Sequence, residues 1–206
     1  MNKATLIVPI LFALTIIGCV GKTPYLKEYD FDKPSAQTHK HNLLVYFPTW
    51  MIDGESRQNC LVMVDSYIDK MIEAYPNAAK LDWSRKWLYL HDEVGDKIVC
   101  AGWGWVWGWQ SGRVVYTPWR PIKAADGTRI GVAEENCLIV VPHEFTHMLA
   151  EMECAGNPDT YHTGYFLKPE IVAMIAYARA NASGCKLTEG DKGRALTYVY
   201  TPWQTP

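Results

Sequence analysis

His143 and His147 stand four residues apart, with Glu144 directly after the first of them. On a helix, residues four apart project from one face. Two imidazoles placed there can meet one metal ion, at about 2.0–2.1 Å from each nitrogen. Glu144 lies one residue further on, rotated by about 100°. It need not ligate the metal and can reach a water bound to it. Zinc lowers the pKa of such a water toward about 7, and a neighbouring carboxylate can take its proton as the water attacks a carbonyl. The chemistry that these residue types offer together is hydrolysis at a carbonyl carbon.

The run His143-Glu144-Phe145-Thr146-His147 is an H-E-x-x-H pattern. It resembles the motif of the zincin metallopeptidases, and the resemblance implies Zn2+ as cofactor, Glu144 as general base and then acid, and a peptide or protein substrate. The apolar run Cys137 to Val141 precedes the motif, and Met148 and Leu149 continue a buried face. The alternative is a helix whose two histidines are packed or solvated without metal.

A catalytic zinc normally takes three protein ligands and one water. Four residues compete for the third position. Glu153 lies on the same helix, six beyond His147, and reaching the same ion would require the helix to break near Ala150. The metzincin pattern has glycine at that place and histidine three later, and this chain departs from it twice, with Ala150 and Glu153. Glu170 opens the next helix and resembles the glutamate of the gluzincin arrangement; a glutamate in a first turn is also what the helix dipole favours. Glu189-Gly190 resembles the glutamate-glycine ligand of other zincins but lacks their aromatic lead-in. His162 is the preferred reading. Gly156 to Asp159 turns the chain just after the motif helix, so the residues that follow can fold back over the metal, and imidazole suits zinc. His162-Thr163-Gly164-Tyr165-Phe166 is also similar to the histidine-x-x-x-phenylalanine segment that carries the third ligand in SprT-like metallopeptidases. Tyr161 and Tyr165 flank this segment. Each is a candidate to hydrogen-bond a developing oxyanion, against the alternative of a packed tyrosine.

Elements must hold these groups. Leu43 to Phe47, Lys86 to His91, Lys97 to Trp103 and Arg113 to Thr117 read as strands. Between them, Leu61, Val64, Ile68, Met71 and Tyr75 recur at spacings of three and four, the mark of one face of an amphipathic helix over Glu55 to Tyr75. Ala124 to Gly131 reads as loop or turn. The motif helix is expected to start near Ile139 to Pro142, with the proline in its first turn, and to end near Cys154 to Gly156. Pro169 to Ala180 is a second helix, opened by proline and glutamate. Strands, a motif helix and a further helix predict an α+β class. The resemblance refines this to a zincin-like mixed sheet backing the motif helix.

"GWGWVWGWQSG" places Trp103, Trp105, Trp107 and Trp109 in strict alternation. On one strand all four share a face. That face is either core under the helices or a substrate wall beside the metal, with glycines admitting another backbone.

The outer bounds come from composition and the N-terminus. A formal net charge of −2 gives no electrostatic footprint for nucleic acid. Residues 1–18 read as a signal peptide: a basic start, then the short apolar run Thr5 to Ile17. The run ends in Ile16-Ile17-Gly18-Cys19, which resembles the lipobox of bacterial lipoproteins and implies lipid on Cys19. An ordinary cleaved signal is the alternative. Val20 follows the cysteine, which under that family's sorting rule favours the outer membrane and places the domain outside the cytoplasm. Residues 19–41 read as a tether, with His39 and His41 as solvated linker residues, and 42–206 as the zincin-like domain. Five cysteines remain after Cys19, and an oxidising compartment would allow two disulfides and one thiol, in a pairing the sequence does not give. Three functions agree with these features: a lipid-anchored zinc metallopeptidase, another zinc amidase acting on cell-wall peptides, or a non-enzymatic envelope-binding lipoprotein that uses its tryptophan-rich face.

Overall fold

The computed structural model describes residues 34–198, apart from 91, 93–97, 101–103, 107, 111–113, 117–118, 134–135 and 160; for 98–100, 104–106, 108–110, 114–116 and 136–139 it describes the backbone alone. Among the described residues the fold is mixed, with four helices and three small sheets, in agreement with the α+β expectation.

The main sheet has five strands: β1 (Ser35–Gln37), β2 (Leu44–Tyr46), β3 (Trp87–Leu90), β6 (Gly108–Gln110) and β7 (Val114–Tyr116), in the order β1-β2-β3-β7-β6. β2, β3 and β7 run parallel, while β1 and β6 pair antiparallel at the two edges. Parallel strands are buried on both faces and read as unbroken apolar runs. That is why Trp87-Leu88-Tyr89-Leu90 does not alternate, and Leu88, Tyr89 and Leu90 are all buried.

Helix α1 (Gly54–Ala74) connects the parallel neighbours β2 and β3 and so completes a βαβ unit. Of its predicted face, Leu61, Val64, Ile68 and Met71 are buried, together with Cys60 and Tyr67, while Tyr75 is the half-buried C-cap. Helix α2 (Asn136–Glu153) carries the motif, and α3 (Pro169–Asn181) packs against both α1 and α2. Phe145, Met148 and Leu149 of α2 join Met174 and Ala178 of α3 in the core.

Several expectations need correction. The motif helix begins at Asn136, so Pro142 lies inside it. Proline there removes one helical N–H; burial of Val140 and Val141 just before it holds the helix together, and the Thr146 hydroxyl donates to the Pro142 carbonyl at 2.7 Å. The tryptophan stretch is not one strand. β5 (Gly104–Val106) pairs with β4 (Ile98–Cys100) in a separate sheet, whereas β6 pairs with β7 in the main one. Each of the two strands opens on a glycine, Gly104 and Gly108, a residue that weakens a continuous strand. Trp105 therefore stands opposite Val99, and Trp109 opposite Val115; Trp103 and Trp107 lie outside the described residues.

The predicted tether is also too long. β1 falls within it, Thr38 is buried, and the N–H groups of Lys40 and His41 donate to the Asp65 carboxylate at 3.0 and 3.2 Å. His41 meets Asp69 at 3.0 Å and His39 meets Gln58, so neither is a free linker residue. Residues 124–131 are not all loop: β9 (Arg129–Ala133) pairs with β8 (Arg120–Lys123) as a hairpin across a turn at Gly127, whose φ is 85°. A fourth helix, α4 (Glu189–Thr197), follows α3. Cys19 lies outside the described residues. Among the described residues, no helix is long and apolar enough to cross a membrane.

Candidate metal centre

Helix α2 is buried all round over residues 140–150 and supplies His143, Glu144 and His147, with exposures of 8, 2 and 4 %. The chain then reverses. Ala155 and Gly156 take left-handed backbone, at φ 52° and 89°, and end the helix in the way that glycine commonly allows. The Asn157 side-chain oxygen accepts the Asp159 N–H at 2.9 Å, a local turn that asparagine makes readily.

Asp159 then organises the returning loop. Its carboxylate accepts the N–H groups of Thr163 at 2.9 Å, Gly164 at 3.2 Å and Phe166 at 2.9 Å. The His162 N–H donates to the Asp159 carbonyl at 2.9 Å. His162 itself sits at φ 53°, a conformation that costs a non-glycine residue about 1–2 kcal/mol. The bonds to Asp159 on both sides hold it there.

The result brings three imidazoles together. One ligand atom from each of His143, His147 and His162 lies within 4.8 Å of the others. The Nε2 atoms of His147 and His162 are 3.3 Å apart. Two nitrogens on one tetrahedral ion at about 2.0–2.1 Å stand roughly 3.3–3.4 Å apart, so the pair already has that edge length. His147 Nδ1 donates to the Pro158 carbonyl at 2.7 Å, which fixes the tautomer and leaves Nε2 with its lone pair. His143 Nε2 is buried with no hydrogen-bond partner in the protein. A buried polar nitrogen without a partner is costly, and a metal ion would satisfy it. The three imidazoles are placed so that they could hold one metal ion. Phe166 forms the wall, its ring centroid 5.0, 4.5 and 4.5 Å from those of His143, His147 and His162.

Burial sets the electrostatics. It lowers the His143 pKa well below the usual 6.5, helped by the nearby positive forms of His147, His162 and Arg179. It takes His147 down to about 4, opposed in part by the Pro158 hydrogen bond, and it also lowers His162. Neutral imidazole is the form that ligates metal. Burial pushes Glu144 up to about 8; a dication nearby would favour the carboxylate instead.

The rival third ligands are elsewhere. Glu153 accepts the Tyr75 hydroxyl at 2.9 and 2.8 Å. Glu170 is exposed in the first turn of α3, and Glu189 opens α4, ion-paired with Lys192 at 2.9 Å. Tyr161 is 69 % exposed at the surface of the loop. Tyr165 is buried beside the Tyr75–Glu153 pair, where burial and then the Glu153 charge hold its phenol neutral. Asp159 and Arg179 are the neighbours that sequence reasoning missed. For Asp159 the available signal was an aspartate at the end of the Asn157-Pro158 turn; for Arg179 there was none.

No protein-family model, curated protein or solved structure matches the chain.

Proposed function

We propose that this protein is a zinc-dependent metallopeptidase, anchored by lipid at Cys19 in the bacterial cell envelope, with the outer membrane favoured. The observation that carries the reading is the convergence of His143 and His147 of α2 with His162 of the returning loop, next to a buried Glu144 that follows His143 in the chain. Three imidazoles leave the fourth position of a tetrahedral ion open. When bound, zinc would supply polarisation of the scissile carbonyl and a water acidified toward neutrality.

The chain's own residues do the rest. His147, oriented by the Pro158 carbonyl, and His162, oriented by the Asp159 loop, hold their nitrogens in place before any ligand arrives. Glu144 takes the proton released as water adds to the peptide carbonyl and delivers it to the departing amine. Burial raises its proton affinity, and a nearby dication would keep it ionised at neutral pH so that it is free to accept that proton. Phe166 excludes water from one side of the histidines.

Peptide-library hydrolysis by wild type and Glu144→Gln tests this reading. The substitution keeps the shape and removes the base, so zinc should stay near one per chain while turnover falls by roughly two orders of magnitude or more. Equal turnover with equal zinc would remove Glu144 from the mechanism; no hydrolysis by zinc-loaded wild type across the library would overturn the peptidase reading.

A further inference from the structure

Cys60 and Cys185 are 125 residues apart in sequence, yet their sulfurs lie 3.0 Å apart. Cys60 is on α1 and is fully buried; Cys185 is in the segment between α3 and α4 and is 1 % exposed. The surrounding backbone is already fastened. Residues 183–188 run along α1, where the Ser183 N–H donates to Ser66 Oγ at 2.8 Å, the Asn59 amide donates to the Lys186 carbonyl at 3.1 Å, and the Thr188 N–H donates to Ser56 Oγ at 2.9 Å. Ser56, Asn59, Cys60 and Ser66 share one face of α1. The two sulfurs therefore meet in the middle of a row of polar contacts that fixes both chains. A disulfide requires sulfurs about 2.03–2.05 Å apart, so closure needs a shift of about 1 Å, within the reach of small side-chain rotations. Cys154, the other cysteine whose side chain is described, is at the far end of α2 and only half-buried.

We propose that Cys60 and Cys185 form a structural disulfide that clamps the α3–α4 connection onto α1. The proposal rests on the reading of the chain as exported, since a disulfide oxidant is required. One cysteine thiolate attacks the oxidant's S–S bond, forming a mixed disulfide and releasing one thiolate. The second cysteine, losing its proton, attacks the protein sulfur of the mixed disulfide and releases the other. The two protein thiols lose two protons and two electrons, and the oxidant's disulfide is reduced to two thiols. Because both sulfurs are buried, the exchange takes place while the chain folds or when residues 183–188 open.

The full chain, unfolded under reducing conditions and refolded in a mixture of oxidised and reduced glutathione, is quenched with an alkylating agent and mapped by mass spectrometry. A linked peptide pair containing Cys60 and Cys185 is the expected result. The linked form should melt about 10 °C above the reduced form. Cys60 and Cys185 both alkylated or carrying glutathione, or either one joined to Cys154, would overturn the proposal. The same mapping on protein alkylated directly in cells reports export separately: a pair that forms on refolding but is absent in cells counts against export and leaves the pairing intact.

Discussion

The backbone N–H of Phe166 donates a 2.9 Å hydrogen bond to the carboxylate of Asp159. That bond closes a loop whose interior residue is His162, and the same carboxylate also accepts Thr163 and Gly164. Groups that orient a ligand commonly affect metal affinity by about 10–100-fold. Asp159→Ala is expected to weaken zinc binding by that order while far-ultraviolet circular dichroism remains that of the folded protein. Competition with a chromophoric chelator measures it; an unchanged zinc affinity would mean that the loop holds itself.

Asp159 also gives an acid dependence of stability. Burial acts to raise its pKa, but the N–H groups of Phe166, Thr163 and Gly164 outweigh burial and hold the carboxyl below its ordinary 3.8. A carboxylate depressed in the folded state contributes stability that is present above its unfolded pKa and lost as pH falls through the folded value. Wild type should therefore lose stability more steeply below about pH 4 than Asp159→Asn does. Thermal melts across the acid range check this, and parallel acid limbs for the two proteins would refute it.

Phe166 packs against all three histidine rings and is 8 % exposed. Phe166→Ala should destabilise the zinc-free domain by about 3 kcal/mol or more. Excess zinc should recover part of that loss, because a ligand that binds only the folded state stabilises it. A melt of the variant that does not respond to zinc would separate Phe166 from the site.

The Tyr75–Glu153 pair gives a control. Glu153→Gln keeps a hydrogen-bond acceptor for the Tyr75 hydroxyl and should keep one zinc per chain. Tyr75→Phe removes a donor from a half-buried carboxylate and should cost about 1–3 kcal/mol of stability without loss of metal. Metal loss in Glu153→Gln, measured by elemental analysis, would make Glu153 a ligand.

What could be read from sequence was what depends on local pattern. The period of α1, the H-E-x-x-H spacing and the Pro169-Glu170 start of α3 are local, and all three are present as elements. His162 was accessible because Gly156 and Asn157-Pro158 announce a turn, and a turn returns the chain to the helix it leaves. Asp159 was legible only as a turn residue: its organising role depends on three N–H groups downstream that converge only when the loop is folded. α4 was missed for the same reason. Its sequence holds Gly190 and Gly193 and little apolar period, and it is secured by tertiary polar contacts. Asp191 is fully buried, accepting the N–H groups of Ile52 and Asp53 at 3.1 and 3.2 Å and pairing with Arg194 at 2.6 Å. The tryptophan stretch misled because alternation is a property of side chains, whereas the break between β5 and β6 follows from which backbone pairs with which. The β8–β9 hairpin was hidden by the shortness of its strands and by Pro121 in one of them, a residue that argues against a strand except at an edge.

The lipid anchor is tested on its own terms. Cys19→Ser should move the protein from the membrane fraction to the soluble fraction, and the mature wild-type N-terminus should be an acylated Cys19. An unmodified Cys19 in a soluble protein cleaved elsewhere would end that part of the account, while leaving the metal centre untouched.

Zinc affinity, measured by chelator competition for wild type, His162→Ala and Glu170→Gln side by side, tests the central claim most directly. Expected are one zinc per wild-type chain, affinity reduced by at least roughly 100-fold in His162→Ala, and wild-type affinity in Glu170→Gln. Retention of zinc by His162→Ala with loss in Glu170→Gln would contradict it, replacing the three-histidine centre with two histidines and a glutamate from α3.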